Sequence, residues 1–333
     1  MARFIGRDAA LVFNMGYNTN VVTLQAIMGE NTLIISDNLN HTSLVNGARG
    51  SGAQIRVFRS NDIPHLEEVL QEAIVKGQPR HHRPWKKILV VVEGIYSMEG
   101  AICKLKEIVE VTKRYKAYIY VDEAHSIGAL GETGRGVCEY TGVDPQDVDV
   151  LMGTFTKSFS GMGGYIAGDK KTIEYLRANS QGILYHNAMS PVVTQQVITA
   201  LKVIMGEDGT DVGRLKIKSL KDNSNYFRDA LVKRGMHVYG DFDSPIIPVL
   251  IYFPAKIAAF SRECLKRGLA VVVVGFPATS VILSRVRFCI SAGHTQDDLD
   301  KALDIIDDVS ELLGMSYSSS PLGYTKPTKQ LVN

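Results

Sequence analysis

At 333 residues, 45% of them hydrophobic and 22% charged, the chain is long enough to bury one large core and a smaller second one. A net charge of +2 sets aside a nucleic-acid-binding surface, and HHRPWKK at 81–87, the densest positive cluster, reads as a solvated lead-in to the strand behind it. The four cysteines, Cys103, Cys138, Cys264 and Cys289, are scattered without the paired spacing of a zinc site or a disulfide framework, which fits a reducing compartment and no bound metal.

From the start, MARFIGRDAALVF lacks the uninterrupted apolar core expected of a signal peptide. Ala9 to Phe13 is a short apolar run leading into Asn14, Met15, Gly16, Tyr17 and Asn18, after which TNVVTLQAIMG has helical spacing. A glycine at a helix entrance leaves N–H groups free for a phosphate, although an ordinary capped turn has the same spelling. TLIIS at 32–36, QIRVF at 54–58 and KILVVVEG at 87–94 read as strands, with helices at 65–75 and 105–115 around them. His41, in the turn after the first of these, offers a flat ring to cover a ligand or carry a proton, or simply satisfies its own loop. Ser97 lies in a turn after the third, between Gly94 and Gly100.

AYIYVDEAH at 117–125 reads as a strand ending in charge, which leaves Asp122 and His125 at its carboxyl end, where open α/β sheets place ligands. A buried carboxylate there could hold a pyridine nitrogen protonated, or merely cap the next loop. VLMGTFTKSF at 150–159 repeats the pattern: an apolar run closes at Gly153 and is followed by Thr154, Thr156, Lys157 and Ser158, then Gly161, Gly163 and Gly164. Small hydroxyls and glycines suit a phosphate seat, and a lysine desolvated beside it can lose its proton and attack an aldehyde. A surface lysine after a strand would look the same.

This alternation predicts an α/β fold with a mostly parallel sheet flanked by helices over residues 1–210. A smaller α/β domain follows over 211–317. Its helix at 217–235 turns Leu220, Tyr226, Phe227, Ala230 and Leu231 inward, and strands at 246–253, 269–274 and 284–291 surround a helix at 255–268. A last helix carries a capping box, Thr295 with Asp298, and a stripe of Leu299, Leu303, Ile306 and Val309. Arg285 and Arg287 share one strand face, as a carboxylate fork or as edge-strand charges. The Ser/Pro-rich residues 318–333 read as a mobile tail. The longest apolar runs, 88–92 and 269–278, are far short of a bilayer span.

Together, the strand-end aspartate, the lysine after the next strand, and the glycines and hydroxyls around it resemble fold-type I pyridoxal-phosphate enzymes. GYNTN, SDNLNHTSLVNGARGSGAQIRVF, VEGIYSMEG, VDEAHSIGALGETGRG, GTFTKSF, GGYIAG, VVVVGFPAT and RVRFCISAGHT are similar to the α-oxoamine synthases, specifically the catalytic long-chain-base subunits of eukaryotic serine palmitoyltransferase in their plant form. The resemblance runs from about Ala9 to about Tyr317. It implies a fold-type I large domain, pyridoxal 5'-phosphate as cofactor, and condensation of L-serine with palmitoyl-CoA, with loss of carbon dioxide, to 3-ketosphinganine. By the same resemblance, Lys157 matches the lysine that binds the cofactor's aldehyde, Asp122 the partner of the pyridine nitrogen, His125 the histidine near the phenolic oxygen and His41 the one stacked on the ring. Gly16, Tyr17, Ser97 and Thr154 match cofactor contacts, and Thr279 and Arg287 match residues that reach the substrate. A heterodimer with a related subunit lacking the lysine, at the endoplasmic reticulum membrane, is implied too.

Three departures bear on activity. The family's upstream segment, which helps build the subunit contact and substrate entrance, is missing from this sequence. ILYHNAMSP at 183–191 replaces a Tyr-x-Thr-Ser run whose hydroxyls reach the phosphate across the subunit boundary in the family, and Asn187 and Ala188 offer an amide and nothing. Ser160 stands where the family usually has glycine. These leave open a degenerate paralogue that pairs with its partner but turns over slowly or not at all.

Overall fold

A computed structural model describes residues 1–315, so the tail expected at 318–333 lies outside the described residues. Contacts divide the chain into two units, residues 1–96 with 103–214, and residues 97–102 with 215 onward.

The first unit runs α1 (Ala2–Ile5), β1 (Ala9–Phe13), α2 (Gly16–Ile27), β2 (Thr32–Asp37), α3 (Thr42–Gly50), β3 (Gln54–Phe58), α4 (Ile63–Lys76) and β4 (Lys87–Glu93). It continues through α5 (Leu105–Arg114), β5 (Tyr118–Asp122), α6 (Val137–Thr141), β6 (Val150–Thr154), β7 (Gly164–Gly168), α7 (Lys170–Asn179), α8 (Gln181–Leu184) and α9 (Pro191–Ile204). Its strands form one sheet in the order β1-β7-β6-β5-β4-β2-β3. The five from β6 to β3 are parallel, and β7 is antiparallel to both its neighbours. β-Branched residues crowd these strands because helices cover both faces: every residue of β2 is buried. Ile34, Leu89, Val91 and Met152 of the sheet pack with Val22 and Leu24 of α2 and Leu44 and Ala48 of α3. Each fully buried aliphatic side chain there contributes about 1.5–3 kcal/mol.

One strand was not visible in the sequence. The sequence reading assigns no strand to GGYIAG, yet Gly164–Gly168 is a fully buried strand. Its glycines serve packing: a Cβ on Gly164 would lie 2.7 Å from Thr19 Oγ1, so the bare backbone is what lets β7 approach α2. Ser160 has φ of 50°, the left-handed conformation that glycine adopts without penalty, which explains the residue the family prefers there.

The second unit contains α10 (Val212–Lys233), whose first turn carries the boundary, then β8 (Ile246–Leu250), α11 (Pro254–Lys266), β9 (Val272–Val274), β10 (Arg285–Cys289) and α12 (Gln296–Leu313). The antiparallel sheet β8-β10-β9 packs through Ile247 and Val286 on Phe227, Leu231, Phe260, Leu299, Leu303 and Ile306. Thr295 and Asp298 form the capping box of α12. Two details differ from the sequence reading. Tyr226 is 39% exposed rather than inward, because its hydroxyl donates to Asp300. Arg285 and Arg287 lie on the central strand, not an edge.

Residues 97–102, expected in the first domain, belong to the second unit. Arg285 Nη1 donates to the Met98 carbonyl at 2.9 Å, Ile102 N–H donates to Asp241 at 2.7 Å, and Asp241 N–H donates to the Gly100 carbonyl at 3.1 Å. Gly100, at φ of 65°, is pressed so close that a Cβ would come 2.4 Å from the Ile246 carbonyl oxygen.

Candidate active site

Parallel pairing sets Glu93 of β4 beside Asp122 of β5, and Asp122 beside Met152 of β6, so two carboxylates end their strands abreast with Thr154 two residues further on. Above these ends lies a cleft of about 250 Å³ lined by Met15, Gly16, Tyr17, Asn20, His41, Ser43, Glu93, Asp122, Ala124, His125, Met152, Thr154, Thr156 and Lys157. Eight residues singled out from the sequence therefore meet in one place: Gly16, Tyr17, His41, Asp122, His125, Thr154, Thr156 and Lys157.

Others do not. Ser97, Thr279 and Arg287 belong to the second unit, where Arg287 Nη1 donates to the Ser97 carbonyl at 3.1 Å. The buried Thr279 hydroxyl has no hydrogen-bond partner among the described residues. Gly161, Gly163 and Gly164 do not line the cleft either. Added Cβ atoms there would meet Val197, the Phe13 carbonyl and Thr19, so packing of β1, α2 and α9 requires them, not an anion. Lys157 itself is exposed, on the loop beyond β6 where the sequence reading puts it.

Asp122 is fully enclosed. Asn20 Nδ2 donates to its Oδ2 at 2.7 Å and the Ala124 N–H to its Oδ1 at 2.8 Å. Burial raises its pKa above the ordinary carboxylate value, while those two hydrogen bonds and the charges of Lys157 and His41 pull it back down. His41 caps α3, its Nδ1 accepting from the Ser43 N–H at 3.2 Å, and its own N–H donates to Glu93. Partial desolvation lowers the His41 pKa, Asp122 opposes that shift and Lys157 reinforces it. The Tyr17 ring meets the His41 ring edge-on at 6.0 Å, held by Asn46, whose amide donates to the Tyr17 hydroxyl at 2.6 Å.

Glu123, next along the chain, accepts from Ser126 and from the Val137 N–H at 3.0 Å. Burial above all pushes its pKa from 4.5 up to about 7 against those hydrogen bonds, and the Asp122 charge adds to the rise. Between these values the folded chain holds the proton more tightly than the unfolded chain. The resulting stability, on the order of 3 kcal/mol, is full below pH 4.5 and lost as pH rises through 7. Glu123→Gln should remove that slope. Urea midpoints of the parent chain should fall from pH 5 to 7.5 relative to those of the variant, and parallel profiles would exclude Glu123 as the cause.

The donor set fits pyridoxal phosphate. A buried carboxylate suits a ring N–H, an amine suits an aldehyde, and α2 begins at Gly16 with no side chain capping its first N–H groups, beside the Thr154 and Thr156 hydroxyls. Gly16 is needed for this approach, since a Cβ there would sit 2.8 Å from Thr154 Cγ2. Sequence reasoning missed Asn20, Ser43 and Glu93. The signal for Asn20 was a polar residue one turn beyond Gly16 on a helix that buries Thr19, Asn20 and Thr23 together. Among the described residues no helix is long and apolar enough to cross a membrane.

The chain matches the family described as "Aminotransferase class I and II" over residues 1–306. It is 59% identical over 317 residues to "Long chain base biosynthesis protein 2a" of Oryza sativa subsp. japonica, covering 95% of this chain and 65% of the relative. It is 55% identical over 316 residues to "Serine palmitoyltransferase 2" of Dictyostelium discoideum, covering 95% of this chain and 64% of that one. The chain thus spans just under two thirds of these curated relatives' length. A solved serine palmitoyltransferase from S. paucimobilis, with a bound PLP–myriocin aldimine, superposes with a TM-score of 0.85 at 29% identity, over 94% of this chain and 75% of that one. By its fold, its strand-end cleft and a match over nearly its whole length, this chain belongs to the class I and II aminotransferase family.

Proposed function

We propose that this chain is the catalytic subunit of a serine palmitoyltransferase, a pyridoxal-phosphate-dependent acyltransferase that joins L-serine to palmitoyl-CoA with loss of carbon dioxide, giving 3-ketosphinganine. The observation that carries the reading is that Asp122, Lys157, His41 and His125 line one cleft beside the start of α2. The names of the rice and Dictyostelium relatives and the PLP-bound neighbour support it.

When bound, pyridoxal phosphate supplies an aldehyde for an amine and a protonated ring that withdraws electrons from the amino-acid α-carbon. The chain's own residues prepare for this. Asp122, whose anionic form the Asn20 and Ala124 hydrogen bonds favour, would hold the pyridine N–H. Lys157 would hold the cofactor through its Nζ, the one primary amine lining the cleft, and the same amine would be placed to carry a proton. His41 and His125, which line the same cleft, would hold the cofactor's ring, the first by its flat ring and the second as a hydrogen-bond donor. Gly16 and Tyr17 N–H groups with the Thr154 hydroxyl would hold the phosphate. Ser97, Thr279 and Arg287 keep the roles the resemblance implies, the first toward the cofactor and the other two toward substrate. Pairing with a lysine-lacking long-chain-base subunit at the endoplasmic reticulum membrane belongs to the same proposal.

A second reading, a weakly active or non-catalytic paralogue within the same complex, is favoured by one observation. Tyr185 to Ala188 form an exposed loop that offers Asn187 and Ala188 where the family has hydroxyls. Near-visible absorbance of the purified chain with pyridoxal phosphate, before and after L-serine, separates the two readings. A band that shifts with serine is expected of a competent site, whereas a chain that never colours sinks the catalytic reading.

A further inference from the structure

Four side chains form a hydrogen-bonded line whose polarity can be read end to end. The Tyr120 hydroxyl donates to Asn20 Oδ1 at 2.7 Å, which fixes the amide so that its nitrogen faces the other way. That nitrogen has two protons and two acceptors: Asp122 Oδ2 at 2.7 Å and Ser43 Oγ at 2.9 Å. With its oxygen already accepting from Asn20, Ser43 has its own proton left for His41 Nδ1, 2.8 Å away. The Ser43 backbone N–H donates to the same nitrogen at 3.2 Å. Two donors on Nδ1 require a lone pair there, so the ring proton must sit on Nε2.

We infer that Ser43 and Asn20 are positioning residues that hold His41 as a neutral ring protonated on Nε2 and tie that state to Asp122. Both are buried, and neither is given a role toward His41 above. One amide thereby stabilises an anion at Asp122 and, through the serine, a neutral imidazole at His41. Without this device two unlike protonation states side by side would compete for one proton. Glu93 from β4, Asp122 from β5, His125 from the turn beyond it, Lys157 from the loop after β6 and Tyr17 from α2 share the cleft with His41 and set the background for its titration. The inference rests on the proposed function only for what the cleft holds.

The test uses the chain without added cofactor, so that its failure and the failure of the proposed function are separate results. Long-range proton–nitrogen NMR of the histidine rings, with His41 assigned by its absence in His41→Asn, should show Nε2 protonated and Nδ1 bare. Ser43→Ala should raise the His41 midpoint by about 0.5–1 pH unit, the worth of one hydrogen bond to the neutral form, and Ser43→Thr should restore it. Should the alanine chain not fold, Ser43→Cys removes the strong donor at similar volume and is read the same way. A proton on Nδ1 in the parent chain, or a midpoint unmoved by loss of the hydroxyl, overturns the inference.

Discussion

Lys157→Ala is expected to leave the chain folded and to bring serine condensation below roughly one part in a thousand of the parent rate. The two halves of that expectation have different physical sources. The side chain is exposed on the loop after β6, so its removal should cost within about 0.5 kcal/mol of stability, as for most surface changes. Its proposed chemistry, by contrast, has no substitute: the other functional groups in the cleft are carboxylates, hydroxyls, histidines, a phenol, the Asn20 amide and two thioethers, none of which supplies a primary amine. Two measurements decide it. Thermal unfolding should be nearly superimposable for parent and variant, and condensation assayed with the lysine-lacking partner co-expressed should vanish. Borohydride treatment after loading with pyridoxal phosphate should attach a pyridoxyl group to the parent at Lys157 and leave the variant unlabelled. Undiminished turnover in Lys157→Ala would remove the assignment.

How far the sequence could be read depended on whether a feature repeats along the chain or arises from chains meeting. β2, β4, β5 and β6 were visible because helices on both faces make each a run of β-branched and apolar residues, and the carboxyl ends of those runs carry Glu93, Asp122 and Thr154. β7 was hidden because close packing against α2 demanded glycine at its start, and glycine spells a turn when read locally. The second unit shows the same limit: of LAVVVV only Val272–Val274 pairs, since pairing depends on β10 and not on the run itself. Likewise Asp122 and Lys157 could be singled out as strand-end groups, but Asn20 and Ser43 could not, because their meaning lies in contacts made 102 and 23 residues away from Asn20. Residues 97–102 joined the second unit for a related reason: nothing in IYSMEG announces the carbonyls that Arg285 and Asp241 engage.

Asp122→Asn is expected to slow condensation by roughly 10²–10³-fold while weakening cofactor binding much less. On the proposed function, the carboxylate would act on charge that develops only as the serine α-carbon gives up its proton or carbon dioxide, so its removal should fall on the rate and not on retention, which the proposed phosphate contacts and Lys157 would share. The substitution also meets an unusually constrained site. Both carboxylate oxygens accept N–H donors, from Asn20 and from Ala124, so an asparagine must turn its own NH₂ toward one of them. That donor-to-donor clash should cost about 1–3 kcal/mol of stability, and if Asn20 yields, its hold on Ser43 and His41 loosens with it. Asp122→Glu provides the control, keeping the charge in a cavity already filled by β5 and its neighbours. It should retain some of the rate while losing stability through crowding. Rate and pyridoxal-phosphate affinity measured together for both variants distinguish these contributions. If Asp122→Asn lost cofactor in proportion to its rate, the carboxylate would be a binding group only, and the electronic role assigned to it would be wrong.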